Sequence, residues 1–296
     1  MSAEGIIYDL RYTPHEGPRL GRSGAFRAMI FDGTRRVLGL RRKHLTKVLP
    51  WALIAAAIAP AMFFVALTFF AEGFRVEDMG PFASPGQYFQ VIGTLAMLFV
   101  GLMTPTLLIP DRQYGVLSIY ASRPVRGADY LLARTVTIVA LTTLYMLIPQ
   151  TILYVGVSSL NVGGIWAGLT TNGAQIPEVF GTTLAFVIGW VAPAIVVSLY
   201  VGRVAIATGV YVVTLIMSAA LSDAIPIVSE QFLYKVLAPL SLFFHPFAVR
   251  DWLFEDFEGT TPLPRVGHPE WAGAIAILAI ALVAAVLALR QYRKAL

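Results

Sequence analysis

Long apolar runs and short polar segments alternate six times along this chain. The apolar runs lie at about Trp51–Phe70, Tyr88–Leu108, Tyr130–Val157, Val179–Tyr200, Ala205–Leu221 and Trp271–Leu289. Each is near the roughly 20 residues that carry a helix across a bilayer. The pattern predicts an all-α membrane protein of six transmembrane helices. Its N-terminal segment, residues 1–48, is mostly polar and holds an amphipathic helix; residues 49–296 form the six-helix domain. The third run is long enough to tilt or to project beyond the bilayer.

The apolar residue before Pro50 recurs at helical spacing. In FRAMIFDGTRRVLGLRRKHLTKVLP, Phe26, Met29, Ile30, Val37, Leu40 and Val48 share one face with Gly33 and His44, while arginines spread over the rest. That predicts an interfacial helix, apolar side in the acyl boundary and basic side toward anionic headgroups. Its two readings are a plain positively charged anchor, or a connecting helix that also touches a partner. GPRLGR, residues 17–22, reads as a turn-rich linker before it.

Composition sharpens the class. The chain is 57% hydrophobic and only 13% charged, with mean hydropathy +0.72, against about 25% charge in soluble domains. It contains no cysteine, which removes disulfides and cysteine-based metal sites. The apolar core of a secretory signal is expected near the start of a chain, and here the first apolar run comes late.

Charge gives the orientation. Of the 22 Lys and Arg residues, all but Arg75, Lys235, Arg250 and Arg265 fall in segments on one side of a six-span topology. The positive-inside rule places that side in the cytoplasm, with both termini, and implies a multi-pass protein of the plasma (inner) membrane. The loop at 110–129 is then cytoplasmic and the segment at 223–270 external. Residues 225–247 are helix-length and apolar, but Glu230, Gln231, Lys235, Pro239 and Pro246 interrupt them. The expected form is an amphipathic or re-entrant external element. A seventh span, the alternative, would put the basic tail outside.

The middles of the six runs hold no Asp, Glu, Lys, Arg or His. Ion-coupled transporters usually keep such groups at membrane depth, so the pattern argues against coupling through a buried acid. Arg134, near the end of a run, is expected to snorkel. Pro105, Pro149 and Pro193 interrupt helix interiors and read as packing kinks or gating points. A P-loop needs GxxxxGK[ST], and GTRRVLGL, residues 33–40, has neither the spacing nor the Lys-Ser/Thr pair. HExxH and GxSxG are absent, and His15, His44, His245 and His268 show no ligand spacing. The chain is therefore expected to be no enzyme, to hold no cofactor or metal, and to bind no nucleic acid. If it uses ATP, another chain hydrolyses it. The acidic stretch DWLFEDFEG, residues 251–259, reads as a solvated external loop, with a cation site as the alternative.

The most punctuated polar segment is DRQYGVLSIYASRPVRGADYLLAR, residues 111–134. Asp111 is placed to cap a helix. Gly115 permits a turn, and Val116, Leu117, Ile119 and Tyr120 predict a short amphipathic helix that Arg123 and Pro124 stop. Such a helix could pass motion to two spans at once.

This segment resembles the permease subunits of ABC exporters in the ABC type-2 superfamily. The matching positions are Asp111, Gly115, Leu117, Pro124, Val125, Arg126, Leu131, Leu132, Ala133 and Arg134. The departures are Asp111 for the usual Glu, Val116 for Thr, Ala133-Arg134 for Gly-Lys, and Gly127 at a frequent Arg position. The topology, the tight basic turn at Gly202-Arg203 and the N-terminal stretch, similar to actinobacterial members, extend the resemblance. It implies a coupling helix seated on an ABC ATPase subunit, with Asp111, Arg112, Gly115, Leu117, Tyr120, Arg123, Pro124 and Arg126 as the coupling positions. It also implies ATP and magnesium on that partner, a second permease copy or a related permease chain, and contact with membrane lipids. Tyr88, Phe89, Tyr145, Tyr154 and Trp190 are candidates to line a substrate path, with packing or interfacial anchoring as the other reading. The alternatives are a secondary transporter or channel, or a membrane enzyme using the external segment.

Overall fold

The computed structural model describes residues 21–40, 44–74, 84–116, 126–228, 238–255, 261–265 and 267–295. Every regular element among them is helical. Helix α1 spans Gly21–Val37, α2 His44–Phe74, α3 Pro85–Gln113 and α4 Gly127–Ser159. Then come α5 (Ile165–Thr171), a 3₁₀ turn (Asn172–Gln175), α6 (Ile176–Tyr200) and α7 (Val204–Val228). A second 3₁₀ turn (Ala238–Leu240), α8 (His245–Phe254), α9 (Pro262–Arg265) and α10 (Ala272–Ala295) complete the order.

Among the described residues six helices are long and apolar enough to cross a membrane, and each contains most or all of one of the six predicted runs. Helices α3 and α6 are mostly buried by other helices, whereas α2, α7 and α10 turn most of their apolar surface outward. Lipid tails are as apolar as leucine, so a bundle of this kind is held by close packing and polar contacts. The centre is aromatic: Phe186 of α6 stacks on Phe89 of α3 at 5.6 Å and meets Trp190 and Phe247 edge-on at 4.8 and 4.9 Å. Such pairs contribute about 0.5–1.5 kcal/mol each beyond the area they bury.

The amphipathic stretch before the first span is two elements. Helix α1 stops at Val37 because Gly39 adopts a left-handed conformation, φ +66°. The amide of Leu40 then reaches the carbonyl of Arg35 at 2.9 Å, and that of Gly39 reaches Arg36 at 3.3 Å. This is a Schellman ending, which glycine accepts without a Cβ penalty. Met29, Gly33 and Val37 form the buried stripe and Phe26 and Ile30 are half-buried beside it. Leu40 lies past the helix end and is exposed, and Val48 belongs to α2. The common face expected for all of these breaks at Gly39.

The prolines do not end their helices. Pro105 and Pro110 lie inside α3, Pro149 inside α4 and Pro193 inside α6. Span two therefore continues to Gln113 rather than closing at Pro110.

After α7 the chain folds back into the bundle. The amide of Phe243 donates to Ser218 Oγ of α7 at 3.3 Å. Pro246 sits where a Cβ on Gly189 of α6 would lie 2.9 Å from its ring, so α8 starts against the glycine itself. Gly189 is eleven residues, about 16 Å, from the end of α6. From there α8 climbs to Leu253, beside Gly181. Of the stretch 225–247, residues 225–228 belong to α7, and 238–247 pack back against α7 and α6. Residues 229–237 lie outside the described residues.

Helix α8 also corrects the reading of the acidic stretch. Asp251 and Arg250 are 1% exposed, and Arg250 donates through Nε and Nη2 to Asp251 Oδ1 at 2.8 and 2.5 Å. Asp251 is thus part of a packed helix, because the glycines of α6 let α8 approach closely. Residues 256–260 lie outside the described residues.

His245 is 2% exposed. Its imidazole is hydrogen-bonded to the Pro239 carbonyl.

Candidate functional site

The charged residues converge where α1, α3, α4 and α10 meet, at the end of the bundle that carries the excess of arginine. Asp111 is in the last turn of α3 and 2% exposed. Its Oδ1 accepts from Arg36 Nη1 at 2.5 Å. Its Oδ2 accepts from Arg134 Nη2 at 2.8 Å and from the Tyr130 hydroxyl at 2.9 Å. Arg134, fully buried, also donates to Asp32 at 3.2 Å and to the Met29 carbonyl at 3.2 Å. Arg36 closes the ring on Asp32 at 3.0 Å. Two arginines thus balance two aspartates, and the carboxylate at the centre is bonded on both oxygens. Burying one such charge alone is expensive, and a bonded, balanced group avoids that cost.

Two expectations are corrected here. Asp111 does not cap a helix start: α3 runs through it, and its side chain ties α3 to α1 and α4. Arg134 does not snorkel outward. Gly33 of α1 brings that helix so close that a Cβ there would stand 3.1 Å from Arg134 Nη1, and the guanidinium points inward to carboxylates. Asp32, Arg36 and Tyr130 escaped sequence reading because their partners are remote in the chain. An aspartate and an arginine at the ends of consecutive apolar runs were the available signal.

The neighbours of Asp111 fasten a different part. Arg112 donates to the carbonyls of Ser198, Leu199 and Val201, and Gln113 to that of Gly202. These carbonyls end α6 and have no partner within their own helix, and a cation is well placed there. Three consecutive residues therefore connect the end of α3 to α1, α4, and the α6–α7 turn. Tyr292 of α10 joins through its ring, 5.5 Å from Tyr130.

Immediately beyond, Gly115 is left-handed at φ +65°, and among the described residues nothing lies within 4 Å of its missing Cβ. Leu117, Tyr120, Arg123 and Pro124, and the short helix expected around them, lie outside the described residues. Arg126 is the exposed N-cap residue of α4. Its amide donates to the Asp129 carboxylate at 2.9 Å; a guanidinium has no acceptor, so only this half of a capping box exists. Asp129 also takes two bonds from Arg22 of α1, at 2.9 and 2.5 Å. That pairing with Arg22, on the exposed end of α1, holds the Arg22 guanidinium above its ordinary pKa.

The five aromatic path candidates are held by different contacts. Tyr88, Phe89, Tyr145 and Trp190 are buried in the core. Tyr88 donates to the Ala57 carbonyl, Tyr145 to Leu53 at 2.9 Å, and Tyr145 stacks on Phe99 at 4.3 Å. Tyr154 donates to Leu169 at 2.6 Å and borders a cavity of about 180 Å³ with Gln150. Among the described residues no group of three or more His, Asp or Glu side chains is arranged to hold a metal.

No protein-family model matches the chain, and no curated protein matches it by sequence.

Proposed function

We propose that this chain is the permease subunit of an ATP-driven ABC exporter, and that it works as one of two permeases on separate ATPase subunits. The observation that carries the reading is the junction at Asp111–Gln113. The last turn of α3 grips α1, α4 and the end of α6 just before the polar loop, so a force applied to that loop reaches four helices together. The resemblance of the loop to ABC type-2 permeases supplies the identity of the partner. In this reading the basic end and both termini face the cytoplasm, the positive-inside rule being the support, and the protein resides in the plasma (inner) membrane. ATP and magnesium act on the partner. The chain itself carries out no chemistry and provides the path. Purification from the native host at low detergent should bring an ATP-binding chain with it. A lone chain that transports on a proton gradient in vesicles, without any ATPase, would sink the reading.

A specific observation favours a second reading, a secondary transporter. The Arg250–Asp251 pair and His245 are buried in the bundle, the kind of groups that ion coupling uses. Under that reading Asp251→Asn abolishes gradient-driven transport; under the exporter reading ATP-driven transport survives it if the chain folds.

A further inference from the structure

An apolar groove of about 430 Å³ opens between α4, α6 and α10. Leu131, Val191, Ala284 and Ala288 form its floor and are almost wholly buried, while Leu132 on the rim is 56% exposed. The groove exists because α10 presents alanines, Ala281, Ala284, Ala285 and Ala288, at helical spacing where larger side chains would fill the space. Its size is within the range of small-molecule sites, about 300–1,000 Å³.

The depth of the groove indicates the occupant. On α4 it runs from Ala128 in the first turn to Val139, a rise of about 16 Å. Half of a hydrocarbon core is about 15 Å. Counted from the basic end, the groove therefore has about the length of one leaflet. A helix from a second copy would follow the spans through both leaflets. An acyl chain occupies one. At the mouth, Arg126 comes two residues before Ala128 and Arg290 directly follows Leu289; both are exposed.

We propose that this groove holds an acyl chain of one anionic phospholipid, with the headgroup phosphate between Arg126 and Arg290. Lipid tails surround the bundle everywhere, so the apolar lining gives shape and the arginines give preference. Basic sites between spanning helices select anionic headgroups, each basic residue being worth about fivefold in binding, so two give about 30-fold.

The test uses the full chain in mild detergent, with phosphatidylglycerol and phosphatidylcholine of identical chains, and counts retained lipid by native mass spectrometry. The expected result is retention of phosphatidylglycerol over phosphatidylcholine by about 30-fold. Combined Arg126→Gln and Arg290→Gln should erase the preference, and Ala285→Trp should remove retention of both lipids. Equal retention of the two lipids by the native chain overturns the headgroup assignment. Undiminished retention in Ala285→Trp overturns the groove, as does a change of oligomeric state in that variant with lipid unaffected. Should Ala285→Trp fail to fold, phosphatidylglycerol with a photoreactive acyl chain decides on the native protein: cross-links must map to α4, α6 and α10, and cross-links elsewhere reject the site.

Discussion

Asp111→Ala is expected to destabilise the chain by about 3–5 kcal/mol, the cost of breaking a buried ion pair by removing one partner. The reason is Arg134. It is fully buried, and without Asp111 the carboxylate beside it among the described residues is Asp32, whose side chain is half exposed. Arg36 and the Tyr130 hydroxyl lose an acceptor at the same time. Asp111→Asn should also be damaging, because an amide keeps the size but not the charge. Replacing both members, Asp111→Ala with Arg134→Leu, should recover much of the loss, since buried ion pairs exchange for apolar groups at little cost. Thermal unfolding in detergent reads all three variants. A double variant less stable than Asp111→Ala would refute the unpaired Arg134 charge as the main source of the loss.

The second large effect concerns transmission through the loop. In the exporter reading, Arg112→Ala and Gly115→Trp are expected to leave the chain inserted and bound to its ATPase while transport per ATP falls about tenfold, within the usual 5–150-fold range of site-to-site coupling. Arg112→Ala frees the carbonyls that end α6, so motion of α3 no longer pulls on that helix. Among the described residues, a Cβ at Gly115 meets nothing within 4 Å. The effect of Gly115→Trp is local: a side chain at φ +65° costs about 1–2 kcal/mol and pushes the loop out of its turn. ATP hydrolysis and vesicle transport measured on the same preparation separate the outcomes. Hydrolysis and transport that stay in their native ratio in both variants would remove the loop from the coupling path.

Much of this architecture was legible because it is local. Six apolar runs became six long helices, and Gly115, expected to permit a turn, is left-handed; Gly39, which the expected helical face ran through, is left-handed as well and ends α1. The helices run beyond the apolar runs, through Pro110 at the end of span two and through Pro50 in α2. In a bundle, neighbouring helices support the turn that proline weakens.

The polar residues required the fold. Arg36 lies 75 positions from Asp111, and Arg134 lies 105 from the Met29 carbonyl it bonds; no spacing rule relates them. Nor could composition reveal that Arg250 and Asp251 are enclosed, since a charged stretch ahead of a span looks the same whether solvated or packed. The sequence by itself determined the number of the spans and their charge asymmetry, because hydrophobic length acts within a single stretch of chain. Only the tertiary structure decided which charges are buried together, because that depends on helices approaching at Gly33 and Gly189 and on desolvation, which a residue acquires from its neighbours in space.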